Sequence, residues 1–278
     1  MRTLALEKYE ALGNDFLVVV DLARAFASDG RLAAALCDRH AGVGADGLIW
    51  LRPGASPGAV RMELRNADGS RAETSGNGLR CAALAAARAG LVDGAAFSID
   101  TDAGAHAVRL ESAAGAAGVV AVDMGPLEVA EEACPPLRGH RSFRVDAGNP
   151  HLVILGPIPD EGTVAALGAR LEAATPGGVN VEFVVPHGRG ELELVVWERG
   201  AGLTRACGSG SCAAAGAARL AGVTGDRVVV HNPGGPLTVE LSGTDPARPR
   251  ARLVGPARHV AGVTVDLEEL GAREPAGA

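Results

Sequence analysis

Two short stretches carry the residue types most able to do chemistry. Cys207 opens Cys207-Gly-Ser-Gly210, and a run of small, helix-favouring residues follows to Leu220. That order sets a thiol at the N-terminal end of a helix, beside backbone N–H groups that lack intrahelical partners. Such a place is expected to lower a thiol's pKa and to hold an anion. Ser75-Gly-Asn-Gly78 is a second version of the same element, again followed by an alanine-rich stretch, to Arg88. Where one copy has a thiol, the other has a hydroxyl.

The elements around these turns repeat as well. Leu4–Tyr9 and Leu17–Val20 predict a hairpin whose turn carries Asn14. Arg31–His40 predicts a helix with Leu32, Leu36 and Cys37 on one side. Gly42-Val-Gly-Ala-Asp-Gly47 matches G-x-G-x-x-G, but a helix precedes it and strand-like Leu48–Leu51 follows, so a dinucleotide site is rejected. Val60–Arg65 alternates like a half-buried strand, and Asn66-Ala-Asp-Gly69 is a turn sequence. A helix is expected over Asn77–Arg88, with Gly90 as its stop and Arg80 and Arg88 solvated. Strands are expected at Phe97–Asp100, Ala105–Glu111 and Val119–Asp123. Met124-Gly-Pro126 reads as a boundary, because the pattern then starts over.

The second half opens on a proline-containing loop around Cys134-Pro-Pro136. Ser142–Val145 and Leu152–Leu155 read as strands on either side of Gly148-Asn-Pro-His151. A helix is expected over Thr163–Ala173, and strands at Gly178–Val185 and Glu191–Trp197. Glu198–Thr204 reads as a loop feeding the Cys207 turn. Strands at Arg227–His231, Leu237–Leu241 and Ala251–Val254 close the pattern, and the tail Val263–Leu270 is able to return to the first domain. The expected fold is therefore α/β: two pseudo-symmetric domains, each a curved mixed or antiparallel sheet around a central helix, with the active site in the cleft between them. Residues 1–125 form the first domain, joined by the tail from about 260–278, and residues 126–259 form the second. Small alanines suit a helix held tightly within a curved sheet.

Composition narrows the function. The 278 residues are 47% hydrophobic and 21% charged, as in soluble globular proteins, and aromatics at 3% leave the core to Ala, Val and Leu. A net charge of −7 argues against nucleic acid. No apolar run reaches membrane-spanning length and the N-terminus lacks a signal-peptide core, so a cytoplasmic protein is expected. Five cysteines show no disulfide spacing. Cys207 and Cys212 have no matching Cys or His pair elsewhere, so zinc is set aside. Cys37, Cys81, Cys134 and Cys212 read as inert thiols.

Eight motifs, in order along nearly the whole chain, resemble the diaminopimelate epimerase family. They are Gly13-Asn-Asp-Phe16, Gly42–Gly47, Asn66-Ala-Asp-Gly-Ser70, Ser75–Cys81, Gly148-Asn-Pro-His151, Asn180, Glu198-Arg-Gly-Ala-Gly202 and Cys207–Gly210. The resemblance implies interconversion of LL- and meso-diaminopimelate by two-base α-proton transfer, without pyridoxal phosphate or metal, usually in a homodimer. It implies that Cys207 and the residue at position 75 are the proton carriers, with His151 and Glu198 setting their protonation. Gly76, Asn77, Gly208 and Ser209 would supply N–H groups to the α-carboxylate, and Asn14 would line the pocket. Asn66, Asn149, Asn180 and Arg199 match the set that reads the distal amino acid group, which is not inverted. An arginine fork suits a carboxylate, and amide oxygens accept from an ammonium.

One position departs from the pattern. The family has cysteine where this chain has Ser75, and a hydroxyl ionises far less readily than a thiol. Loss of a positioned acid or base costs about 10²–10⁴ in rate. Three readings stay open: a replacement that traps an inactive enzyme, a natural variant with slow or altered turnover, or a homologue that keeps binding or one-sided elimination. Racemisation or dehydration of another amino acid is the rival within enzymes, and the distal residue set argues against it.

Overall fold

Alternation builds the first strand: Leu4, Leu6, Tyr9 and Ala11 point inward from β1 (Thr3–Ala11), while Thr3, Ala5 and Glu7 are exposed. Leu12 and Gly13 both take positive φ, 58° and 86°, and this tight turn returns the chain as β2 (Asn14–Val20). Asn14 therefore lies not in the turn, as expected, but at the start of β2 opposite Ala11. Residues 3–133 and 139–271 are described in this computed structural model. The expected loop at Cys134-Pro-Pro136 lies outside the described residues.

Asp29 caps α1 (Gly30–Cys37), whose Ala33, Leu36 and Cys37 join Leu4, Leu6, Leu17, Val19, Leu48 and Trp50 in one core cluster. β3 (Gly47–Pro53) runs parallel to β2, and β4 (Val60–Asn66) returns antiparallel to β3. The short β5 (Arg71–Ala72) pairs with β4 and leads to α2 (Gly76–Arg88). Then come β6 (Ala96–Thr101), parallel to β4, β7 (Gly104–Ala114), antiparallel to β6, and β8 (Ala117–Pro126). α2 packs against β1, β2, β3, β4 and β7, so the sheet curves around it. Every α2 residue from Asn77 to Ala86 is buried, which is why the helix is built from small side chains.

The order then repeats. β9 (Glu128–Glu131) pairs with β10 (Arg141–Asp146), which forms a hairpin with β11 (Pro150–Leu155). α3 (Glu161–Ala174) follows, capped by Asp160. β12 (Asn180–Pro186) is parallel to β11, β13 (Glu191–Glu198) antiparallel to β12, and the short β14 (Gly202–Thr204) antiparallel to β13. α4 (Gly208–Leu220) is buried on all sides in its middle turns. β15 (Arg227–Asn232), parallel to β13, and β16 (Gly235–Ser242), antiparallel to β15, lead to β17 (Arg250–Asp266). Strand for strand, β10 to β16 with α3 and α4 reproduce the directions of β1 to β7 with α1 and α2.

The chain forms two compact units. One runs up to Val120 and resumes at Pro256, and the other is Ala121–Gly255. The divisions fall inside β8 and β17. β17 pairs with β16 through Arg250–Val254, and its later part pairs with β1, from Arg258 opposite Glu10 to Asp266 opposite Thr3. The tail from Val263 is thus a continuation of β17, followed by the short α5 (Leu267–Gly271). β5, β9, β14 and α5 are too short to show a period in the sequence.

Candidate active site

Each unit places its Gly-x-Gly turn at the N-terminus of its buried helix. Ser75 is the N-cap of α2, with φ −153° and ψ 124°; its Oγ accepts from Gly78 N at 3.1 Å. Cys207 is the N-cap of α4, with φ −119° and ψ 119°; its Sγ accepts from Gly210 N at 3.3 Å and lies 3.5 Å from Ser209 Oγ. Both turns therefore spend one first-turn helix N–H on the capping side chain.

The Cys207 half is rich in ionisable groups. Its thiol is buried, at 5% exposure. Burial pushes its pKa well above the ordinary thiol range, and the carboxylates of Glu198 and Glu182 push it further. Hydrogen bonds from Ser209 and Gly210 offset only part of this. The expectation that the helix end would lower this thiol is therefore reversed: desolvation and two nearby acids outweigh the helix N–H groups. Burial also raises Glu198, against hydrogen bonds from Thr204 and Cys207 that favour its charged form. Thr204 Oγ1 donates to Glu198 Oε1.

His151 is wholly buried on β11, with Nδ1 2.6 Å from Glu182 Oε1 and Nε2 2.9 Å from Asn149 Oδ1. Asn180, also buried, donates from Nδ2 to Pro150 O at 2.9 Å and accepts from Arg199 N at 3.0 Å. This amide ties the start of β12 to β11 and to the turn after β13. The Arg199 side chain is exposed, with Nη1 donating to Gly177 O at 3.1 Å. One unit thus gathers Cys207, Gly208, Ser209, Glu198, His151, Asn149, Asn180 and Arg199.

The other unit carries Ser75, Gly76, Asn77, Asn14 and Asn66. Asn77 donates to Asn14 Oδ1 at 3.1 Å, and Asn14 donates to Asp46 Oδ2 at 2.8 Å. Asp46 also bonds Arg39, which bridges to Asp15. Burial alone would raise Asp15, yet hydrogen bonds from Arg39 and Lys8 outweigh it and lower its carboxyl to about 2. Asn66 is exposed, and its Nδ2 donates to Ser70 Oγ within its own turn at 2.9 Å. Among the described residues, no carboxylate or imidazole of this unit is hydrogen-bonded to Ser75.

One helix residue departs from its expected place. Arg80, expected in solvent, is wholly buried, donating to Asn77 Oδ1 at 2.8 Å and to Pro256 O at 3.1 Å. α2 is covered on every side at this level, so a residue at this position has no solvent to reach. Glu182 was not singled out from the sequence, although a lone carboxylate inside the strand-like Val-Asn-Val-Glu-Phe-Val-Val run was the available signal. Cys37, Cys81 and Cys212 are buried, and burial raises Cys37 and Cys81 to about 12, as suits inert thiols. Cys134 lies outside the described residues. Among those residues no group of three or more His, Cys, Asp or Glu is disposed to hold a metal, and no helix is long and apolar enough to cross a membrane.

Comparison with known proteins sharpens the picture. The family model for diaminopimelate epimerase matches residues 7–130 and 143–260. A diaminopimelate epimerase of Desulforudis audaxviator is 42% identical, over 91% of this chain and 96% of that protein. One from Geobacillus kaustophilus is 38% identical over 94% and 96%. Among solved structures, a Bacillus anthracis phenazine biosynthesis protein of the PhzF family superposes with a TM-score of 0.73 at 13% identity, covering 96% of this chain and all of that one. A hydroxyproline epimerase from Agrobacterium vitis gives 0.71 at 18%, covering 96% and 93%. The structural likenesses establish the shared fold, and the sequence matches establish that this chain belongs to the diaminopimelate epimerase family of isomerases.

Proposed function

We propose that this chain binds diaminopimelate and moves the hydrogen on one of its α-carbons, using groups held at the N-termini of α2 and α4. The observation that carries this reading is the matched capping of the two helices, by Cys207 in one copy of the repeat and Ser75 in the other. The N–H groups of Gly76, Asn77, Gly208 and Ser209 hold the α-carboxylate and the charge that builds on it. Asn14 lines the same pocket, and Asn66, Asn149, Asn180 and Arg199 read the distal group. The reaction needs neither pyridoxal phosphate nor metal. The working form is a cytoplasmic homodimer, and each unit is one copy of a duplicated domain.

Cys207 rests as a thiol. Glu198, held in a hydrogen bond with it, takes the thiol proton, and the thiolate then accepts the α-hydrogen. The electron pair of the broken C–H bond passes into the substrate carboxylate. Return of the proton from Cys207 restores the starting isomer, whereas delivery from the Ser75 face inverts it. Among the described residues no carboxylate or imidazole of its own unit is hydrogen-bonded to Ser75, so inversion is the slow step. Restoring the thiol with Ser75→Cys should raise LL-to-meso conversion about 10²–10⁴-fold, as read by chiral separation of the products. Equal rates for the two forms would overturn the reading. The isolation of Ser75 also favours a second reading, a binding protein without turnover, which would titrate with diaminopimelate but convert none of it in either form.

A further inference from the structure

The internal repeat supplies a control for the layer beneath Cys207. In one unit Phe16 pairs with Gly47 on β3, and Ile49 stands two residues on. In the other, His151 pairs with Asn180 on β12, and Glu182 stands two residues on. The places match in depth as well. A Cβ on Gly78 would meet Ile49 Cδ1 at 3.6 Å, and one on Gly210 would meet Glu182 Oε1 at 2.8 Å. Phe16 and Ile49 are buried, so an apolar pair fills this layer in one copy. The Cys207 copy instead buries two ionisable side chains at 0% exposure. Desolvating such a pair is costly, and an apolar pair of similar volume often does as well or better for stability. Glu182 Oε2 also has no hydrogen-bond partner among the described residues. Packing alone gives no reason for this pair.

The hydrogen bonds supply one. Asn149 turns its side-chain oxygen to His151 Nε2 at 2.9 Å, so that nitrogen donates. His151 Nδ1 then meets Glu182 Oε1 at 2.6 Å. With Nε2 donating, an ionised Glu182 accepts from Nδ1 of a doubly protonated ring, and a protonated Glu182 donates to Nδ1 of a neutral ring. The Asn149 amide is left with its NH₂ group turned away from the ring. We propose that Glu182 is a positioning residue: acting through His151, it fixes the Asn149 side chain as a donor toward a carboxylate of the ligand. This rests on the reading above, in which Asn149 contacts the distal group of diaminopimelate, and it assigns that contact to the distal carboxylate.

The test has two parts. In ligand-free wild-type protein labelled with ¹⁵N-histidine, His151 Nε2 should give the signal of a protonated ring nitrogen, assigned by its loss in His151→Phe. An unprotonated Nε2 would overturn the proposal, whatever the ligand. Second, the double variant His151→Phe, Glu182→Ile copies the apolar pair of the other unit. It should fold with an unchanged or higher melting temperature and bind diaminopimelate about 10-fold or more weakly by calorimetry, as for loss of a hydrogen bond to a charged group. Glu182→Gln, which can still hydrogen-bond Nδ1, should recover most of the binding lost in Glu182→Ile. Wild-type affinity in the double variant, or equal losses in Glu182→Gln and Glu182→Ile, would overturn the proposal. If no form binds diaminopimelate, the substrate reading fails, and the ¹⁵N signal still decides the role of Glu182.

Discussion

Gly78 and Gly210 occupy the same position of their helices, each donating its N–H to the capping side chain. Replacing each with alanine should nevertheless give different results. At Gly78 the new Cβ would lie 3.1 Å from Ser75 Cβ and 3.4 Å from its Oγ, which a half-buried serine can relieve by a small shift. Alanine in place of helical glycine contributes about 0.5–1 kcal/mol, so Gly78→Ala should be neutral or slightly stabilising. At Gly210 the Cβ would lie 2.8 Å from Glu182 Oε1 and 3.2 Å from both Cys207 Cβ and Sγ. Glu182 is wholly buried and bonded to His151, so it has little room to retreat. Overpacking of this kind costs about 1–3 kcal/mol, which outweighs the helical gain. Gly210→Ala should therefore lose about 1–2 kcal/mol net, or roughly 2–8 °C in melting temperature at about 2–4 °C per kcal/mol. Thermal unfolding of both variants beside wild type is the assay. A Gly210→Ala protein as stable as Gly78→Ala would refute the close packing of Glu182 against the first turn of α4.

Other outcomes follow from the same geometry. Cys207 should react slowly with iodoacetamide at pH 7 and faster as the pH rises past the ordinary thiol range, and Glu198→Gln should speed the reaction by removing a nearby negative charge. Peptide mass spectrometry reads both, and rapid labelling of wild type at neutral pH would contradict the raised thiol pKa. Asp15 has its pKa depressed from 3.8 to about 2, so its contribution to stability is present above the unfolded value and is lost as pH falls toward about 2. Asp15→Asn should cost about 2 kcal/mol at pH 7, and denaturant titrations should show the gap to wild type narrowing between about pH 4 and pH 2. A gap independent of pH would show that the Arg39 and Lys8 bonds do not set this carboxyl.

The sequence carried the fold wherever a local pattern was long enough to count. Both alanine-rich helices, the alternation of Val60–Arg65 and the repeat itself were legible, because burial on one side or on all sides leaves a period in the residue types. The site was legible where chemistry is local, as at Cys207 and Ser75, whose helix-capping roles follow from two glycines and a helix. It was illegible where three-dimensional neighbours decide the outcome. The helix end beside Cys207 favours a thiolate, but Glu198 and Glu182 arrive from β13 and β12, and no spacing announces that they oppose it. Arg80 read as a solvated helix residue because nothing in its neighbours shows that strands cover α2 on that side. Asn14 moved from turn to strand because Leu12 adopts a positive φ, which is uncommon for leucine.

The central claim is that the Cys207 half of the pair is competent while the Ser75 half is not. The direct test is to incubate the wild-type chain separately with LL- and meso-diaminopimelate in deuterated water, following α-proton loss by NMR and configuration by chiral separation. One isomer should exchange its α-hydrogen faster than it inverts, and Cys207→Ala should abolish that exchange. Exchange from neither isomer, or exchange that persists without Cys207, would contradict the account.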